Sequence, residues 1–262
     1  MRFIYITDFH GDIRRYEKVF DQAVKLKVKL IVNGGDICPH RGSAKFLTDY
    51  FPGWLEQCRK AGIISLGMFG NDDPKADLRY LDELVEMKLF TRIDLTTVEY
   101  QGWILWGYNY VPDYPFTMKD WVKADYVGAV RPGYFGRPVE STSTGYREIP
   151  DIDSYFLEKG TIADELGKIA LPSPEKTIIV THSPPYGVGL DVCFDGRVVG
   201  SRSVHEFIRR VQPVLSLHGH IHESPKVTGI WRTNIGKTLA CQPGQNPVMV
   251  EIDEGEIRIK YL

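Results

Sequence analysis

The stretch FIYITDFHGD, residues 3–12, decides the fold. Phe3 to Ile6 is a short apolar, β-forming run, and the polar residues just beyond it are a carboxylate, Asp8, and an imidazole, His10. A helical stretch follows from about Ile13 to Leu26, in which Tyr16, Val19, Phe20, Ala23 and Val24 recur at the three-and-four spacing of one buried face. The figure then repeats. Leu30 to Val32 runs into Asn33-Gly34-Gly35-Asp36, and a helical region from about Ser43 to Lys60 is interrupted near Pro52-Gly53. Ile63 to Phe69 runs into Gly70-Asn71-Asp72-Asp73, and a helix from about Lys75 to Met87 carries Leu78, Leu81, Leu84 and Val85 on its apolar face. Strand, polar loop, helix, strand is the order of βαβ units, so the first third predicts a mostly parallel sheet in an α/β fold.

Further strands are expected at Val98 to Trp106, at Thr177 to Val180, and at Val214 to Leu217 after a helical Ser203-to-Arg210 stretch. From Val227 onward short runs separated by Gly, Pro and Asn predict antiparallel β structure in a second sheet, with Asp253-Glu254-Gly255 as a hairpin turn. Tyr108 to about Tyr155 is rich in aromatics, Gly and Pro but has no periodicity; a segment of that kind is either a lid over a site or a plain surface excursion. No internal repeat is visible, and the expectation is a single domain over 1–262 with a lid or insertion around 108–155.

Composition narrows the function. The 262 residues are 43% hydrophobic and 25% charged, which is enough apolar material for a core and excludes intrinsic disorder. No window approaches the roughly 18 unbroken apolar residues of a membrane span. Lys and Arg number 32 against 34 Asp and Glu, so no bulk field recruits nucleic acid or anionic membrane. Cys38, Cys58, Cys193 and Cys241 form no CxxC pair and read as reduced thiols. The N-terminus lacks a secretory signal, and a cytoplasmic location is expected.

The chemistry lies where the apolar runs end. Asp8 and His10 follow the first, Asp36 the second and Asn71 the third; His182 follows TIIV, and His220 and His222 follow VLSL. Ligands of open α/β sheets collect at the carboxyl ends of strands, so these side chains are expected to converge on one edge. Oxygen and imidazole donors without thiolate suit Mn, Fe, Zn or similar divalent ions. Seven donors exceed one tetrahedral site but fit two ions sharing a carboxylate, the clamp used for in-line displacement at phosphorus. Asp36, on the tight Gly34-Gly35 turn, is the natural bridge.

Asp8-Phe9-His10, Gly35-Asp36, Gly70-Asn71, His182 and Gly219-His220-Ile221-His222, in this order, resemble the motif set of the calcineurin-like metallophosphoesterases. The resemblance implies an αββα fold, a two-sheet sandwich flanked by helices, and a two-metal-ion phosphoesterase that hydrolyses a phosphomonoester or phosphodiester by attack of a metal-activated hydroxide. It implies one ion on Asp8, His10, Asp36 and His222, and the other on Asp36, Asn71, His182 and His220, with Asn71 also touching phosphate. There is one departure. The family pattern places a histidine after the Gly-Asn pair, in contact with substrate phosphate, where this chain has Asp72. The change removes a neutral-pH proton donor and sets a carboxylate beside an anionic substrate. His40 and His218 are the stand-in candidates and Asp36, Asn71 and Asp72 the candidate catalytic residues; Asp73 is a candidate cap of the following helix, and Asp72 is either a cap of that helix or a polar contact of the site.

The rival readings are a metal-containing phospho-ligand sensor or scaffold with weak or no catalysis, and a nuclease, against which the near-neutral charge counts. The expected partner is a small phosphorylated substrate, nucleotides included. Arg131 and Arg137 are candidates for a distal phosphate. Gly236-Lys237-Thr238 has Trp231 where a P-loop needs its first Gly, and Gly187-Val188-Gly189 lacks the third Gly of a dinucleotide fingerprint, so neither motif stands. His205 reads as an ordinary packed residue.

Overall fold

Phe3, Ile4, Tyr5 and Ile6 are all buried although they point alternately to opposite faces, because both faces of their sheet are covered. In the computed structural model, which describes residues 1–253 and 256–262, this strand sits in the middle of a six-stranded sheet. The order is Glu256–Tyr261, Val248–Asp253, Arg2–Ile6, Leu30–Asn33, Ile64–Gly67 and Thr91–Arg92. The last four strands run parallel, as the βαβ order requires, while Val248–Asp253 is antiparallel to Arg2–Ile6. A second six-stranded sheet has the order Arg232–Ile235, Thr238–Cys241, Leu215–His218, Thr177–Thr181, Trp103–Tyr108 and Thr97–Tyr100.

The sheets stack face to face. Phe3, Tyr5, Leu30 and Val32 from the first meet Leu105, Ile178, Val180, Leu215 and Leu217 from the second in one buried cluster. The alternate residues Ile4, Ile6 and Ile31 turn to the other face and pack against Tyr16, Val19 and Ala23 of the helix Ile13–Lys25 and Trp54 and Leu55 of the helix Phe51–Lys60. On the outside of the second sheet Trp106, Tyr108 and Ile179 pack on Ile162 and Leu166 of Ile162–Lys168 and on Val204, Phe207 and Ile208 of Arg202–Val211. The result is helix, sheet, sheet, helix. No helix among the described residues is long and apolar enough to cross a membrane.

Several expectations need correction. The helical region before Lys60 is not broken at Pro52-Gly53: the chain is helical from Ser43 to Lys60, and the irregularity is a π-helical stretch at Phe46–Tyr50 just before the proline, with the Phe51 N–H reaching back to Phe46 O. The run Val98 to Trp106 is a hairpin, Thr97–Tyr100 and Trp103–Tyr108, turned at Gln101 and Gly102, both with positive φ. The tail is split between the sheets. Arg232–Ile235 and Thr238–Cys241 complete the second, with Thr238–Cys241 parallel to Leu215–His218, and the last two strands return to the first. The antiparallel pairing of those last strands is described, but the turn expected at Asp253-Glu254-Gly255 includes residues 254–255, outside the described residues. The 108–155 segment contains a regular hairpin, Val139–Thr142 with Gly145–Glu148, and a short parallel pair, Val111–Pro112 with Val122–Lys123.

Candidate metal centre

Asp8, His10, Asp36 and His220 all adopt positive φ (57°, 46°, 53° and 67°), a conformation that costs a non-glycine residue energy. The loops leaving the strands hold them there. Asp8 N–H donates to Gly35 O at 3.0 Å and His10 N–H to Asp36 O at 2.9 Å, so the first two loops continue to pair beyond the sheet. His220 N–H donates to Asp8 Oδ1 at 2.9 Å, which joins the second sheet's loop to the first. Gly70 allows close approach: a Cβ there would stand 2.3 Å from Asp36 Oδ1.

The donors predicted from the strand ends lie together. Asp8, His10 and Asp36 present ligand atoms within 4.8 Å of one another. His182 Nε2 is 3.4 Å from Asp36 Oδ2 and 2.9 Å from Asn71 Oδ1. The ring centroid of His220 is 5.5 Å from that of His182, and the ring centroid of His222 is 5.8 Å from that of His10. His10, Asp36, Asn71, His220 and His222, with Asp72, line a cavity of about 930 Å³, while Asp8 and His182 are fully buried.

The proton positions on His182 and Asn71 follow from their partners. Nδ1 of His182 faces Gly34 O at 2.9 Å, and a carbonyl only accepts, so Nδ1 is the donor and Nε2 is aimed into the site. The Asn71 amide donates Nδ2 to Asp72 Oδ1 at 2.8 Å, which turns its Oδ1 inward. His182 Nε2, Asn71 Oδ1 and Asp36 Oδ2 thus direct lone pairs at each other, an arrangement stable only around positive charge: a proton on Nε2 or a cation. Burial alone would lower the His182 pKa, but the Asp36 and Asp8 carboxylates overcome it and lift it to about 10. Asp36 feels the reciprocal effect. Burial would raise its pKa, yet His182 and His10 hold it well below the usual carboxylate range. Asp8, fully buried, is pushed up by desolvation. Among the described residues no Lys or Arg forms an ion pair with Asp8 or Asp36, and His10 Nδ1 is buried without a hydrogen-bond partner. Buried carboxylates with no Lys or Arg partner, beside imidazoles such as His220, whose burial lowers its pKa to about 3, are a donor set that divalent cations fit.

The family model for calcineurin-like phosphoesterases matches residues 1–224. The chain belongs to that family. Calcineurin-like phosphoesterases are hydrolases of phosphoric esters that generally use divalent metals, and the motif residues of this chain fall inside the matched span. No curated protein sequence matches the chain. Its fold is shared with TT1561 of Thermus thermophilus, at a TM-score of 0.59 and 17% identity, covering 99% of this chain and 98% of that one. It is shared also with a dimetal phosphatase from Danio rerio, at a TM-score of 0.55 and 10% identity, covering 100% of this chain and 95% of that one.

At the position where the family has histidine, Asp72 Oδ2 lies 3.3 Å from His40 Nδ1 and 3.9 Å from His10 Nδ1, and its N–H donates to Asp36 Oδ1 at 2.8 Å. Desolvation, with Asp36 and Asp73 nearby, raises its pKa to about 8. His40 is mostly exposed, stacked on His10 with ring centroids 4.6 Å apart, and lines the cavity. The other stand-in is removed: His218 is fully buried, bonded to Thr181 Oγ1 at 2.9 Å and Ser216 Oγ at 2.8 Å, and does not line the cavity. Arg131 is paired with Asp153, and Arg137 with Glu148 at 3.0 Å, so the distal-phosphate expectation for them also falls. His205 is the packed residue it reads as, bonded through Nδ1 to Tyr186 O.

Asp73 is no helix cap. The following helix, Leu78–Glu86, has Asp77 at its N-cap, and the Asp73 carboxylate instead accepts N–H groups from Ile37, Cys38 and Gly70 at 3.0, 2.7 and 2.8 Å. Gln245 holds the Asp8 carbonyl at 2.8 Å, and Gln242 donates to Gly219 O. Sequence reasoning missed both glutamines; the only signal was two amides flanking the Pro243-Gly244 turn in the tail.

Proposed function

We propose that this calcineurin-like phosphoesterase is a two-metal enzyme that hydrolyses a phosphomonoester or phosphodiester of small size. The observation that carries the reading is the convergence of His182 Nε2, Asn71 Oδ1 and Asp36 Oδ2, with Asp8 and His10 beside them, next to an open cavity that Asp36, Asn71 and His10 line. Asp8, His10, Asp36 and His222 would hold one divalent ion, and Asp36, Asn71, His182 and His220 the other, Mn, Fe and Zn all being compatible with these donors. Such ions supply charge for the phosphoryl oxygens and lower the pKa of water to generate the nucleophile. The chain's own part is positioning. Gly34 O fixes the His182 tautomer, His220 N–H orients Asp8, and Asp72 N–H orients Asp36. The four free cysteines, three of them buried, support a reducing, cytoplasmic setting.

Asp72 in the family's histidine position favours a second reading, a phospho-ligand sensor that binds metal but turns over little. Metal-stripped protein titrated with Mn²⁺ on a paired aryl monoester and diester, with Asp36→Ala alongside, separates the two. Metal-dependent turnover abolished by the substitution is the expected result. Two ions bound per chain without turnover of either ester would move the assignment to the sensor.

A further inference from the structure

The cavity above the donor floor has one wall built of aromatic rings. From His220 the rings step outward: Tyr114 at 5.7 Å between centroids, Phe116 at 5.9 Å from Tyr114, and Phe135 at 5.7 Å from Phe116, edge-on. Phe194 lines the same space from the 184–200 loop. Phe116, Phe135 and Phe194 are 63%, 74% and 74% exposed, although a folded chain gains by burying each of them.

The wall is held rigidly. Lys119 is fully buried between the Tyr114 and Tyr134 rings, its Nζ 4.5 and 4.4 Å from their centroids, and donates to Asp113 Oδ1 at 2.9 Å. Tyr134 OH donates to the other Asp113 oxygen. Phe135 N–H donates to Pro115 O at 2.9 Å, which sets the 113–119 loop beside the 131–136 stretch and brings Phe116 against Phe135. A buried cation with these partners is costly to disturb, so Tyr114, at the inner end of the wall, is fixed in place before any ligand arrives.

Charge completes the description. Among the described residues the one basic side chain lining the cavity besides the histidines is Arg197, already paired with Asp195 at 2.7 Å. Asp72, Asp113, Asp195 and Glu223 also line it. A second phosphate group would meet these acids and a single arginine engaged in an exposed ion pair with Asp195, which disfavours nucleoside di- and triphosphates and polynucleotides.

We propose that the substrate carries a single phosphate on a flat, uncharged aromatic group, and that Tyr114, Phe116, Phe135 and Phe194 select it by stacking while the phosphate sits on the floor. This rests on the phosphoesterase reading above. The test is calorimetric binding to the Mn-loaded protein of methylphosphonate, cyclohexylmethylphosphonate, 1-naphthylmethylphosphonate and propane-1,3-bisphosphonate, which share a head group and are not hydrolysed. The naphthyl compound should bind about 30-fold tighter than methylphosphonate and several-fold tighter than the cyclohexyl one. Phe116→Ala and Phe135→Ala, at exposed positions that tolerate truncation, should each remove about tenfold of that gain and leave methylphosphonate unchanged. Equal binding across the series, equal naphthyl and cyclohexyl affinities, or tightest binding of the bisphosphonate would each overturn the proposal. Failure of the phosphoesterase reading shows separately, as absence of metal-dependent turnover of both 4-nitrophenyl phosphate and methyl 4-nitrophenyl phosphate.

Discussion

The carboxylate of Asp73 accepts the backbone N–H of Cys38 at 2.7 Å, tying the loop that carries Asn71 to the loop that carries Asp36. It takes the N–H of Ile37 and of Gly70 as well, so three buried donors depend on one side chain. Asp73→Ala leaves them unsatisfied, and at about 1–3 kcal/mol for each such group the variant should lose at least about 3 kcal/mol of stability. Metal affinity should fall about 10–100-fold, because Asp36 and Asn71 lose their common anchor. Thermal unfolding and metal titration check both. A variant that binds metal as the parent does would show that the loops hold their geometry without Asp73.

Gly35 marks a second point where backbone geometry sets the site. Its φ is +111°, and a Cβ there would lie 2.7 Å from His182 Nδ1 and 2.8 Å from the Gly70 Cα. Gly35→Ala should therefore cost about 3 kcal/mol or more, from strain plus overlap. Gly42 is the control: its φ is +77° but nothing lies within 4 Å of its added Cβ, so Gly42→Ala should cost only about 1 kcal/mol. Comparable losses for the two in denaturant unfolding would mean that the crowding at Gly35 is relieved by local movement.

Much of this was legible in the chain because period and position speak directly. The βαβ order of the first third follows from apolar runs that stop at Asp8, Asp36 and Asn71, and the structure brings those residues together with His182, His220 and His222. What was not legible depends on contacts between distant segments. Asp73 reads as a cap because acidic residues favour helix starts, and only the fold shows the N–H groups of Ile37 and Cys38 beside it. The tail strands read as one antiparallel unit since alternation does not say which sheet a strand joins. The 108–155 segment reads as patternless because its order comes from a buried Lys119 and its aromatic neighbours rather than from a repeat.

The aspartate at 72 gives a prediction about chemistry. A general acid typically contributes about 10²–10⁴-fold to expulsion of a poor leaving group, and the family's histidine is missing here. Divalent charge on Asp36 and Asn71 would offset the desolvation and neighbouring carboxylates that raise the Asp72 pKa, and keep Asp72 ionised. Rates should therefore fall steeply along a series from 4-nitrophenyl to phenyl to alkyl phosphate esters. Asp72→His should restore about 10–100-fold on the alkyl ester and change the 4-nitrophenyl ester little. A parent rate independent of leaving-group acidity would mean that another group already supplies the proton.

Lys159 makes stability depend on pH far from the donor floor. Its Nζ donates to the carbonyls of Lys119, Asp120 and Val122 at 2.8, 3.0 and 3.4 Å, joining the helix Ile152–Lys159 to the base of the aromatic wall. Burial, helped by the charge of Lys75, lowers its pKa from the ordinary 10.5 to about 8. A lysine with a lowered folded-state pKa binds fewer protons folded than unfolded, so stability rises with pH between those two values. Below about 8 both states are protonated and the full cost of the buried charge is present. The rise should be on the order of 3 kcal/mol across the window, since each unit of displacement is worth about 1.4 kcal/mol. Lys159→Met removes the titrating group, so the stability difference between parent and variant should shift toward the parent as pH climbs from 8 to 10.5. Unfolding curves of the two proteins at closely spaced pH values measure it. A difference that stays flat through the window would mean the Lys159 ammonium is solvated well enough by its three carbonyls and water to keep its ordinary pKa.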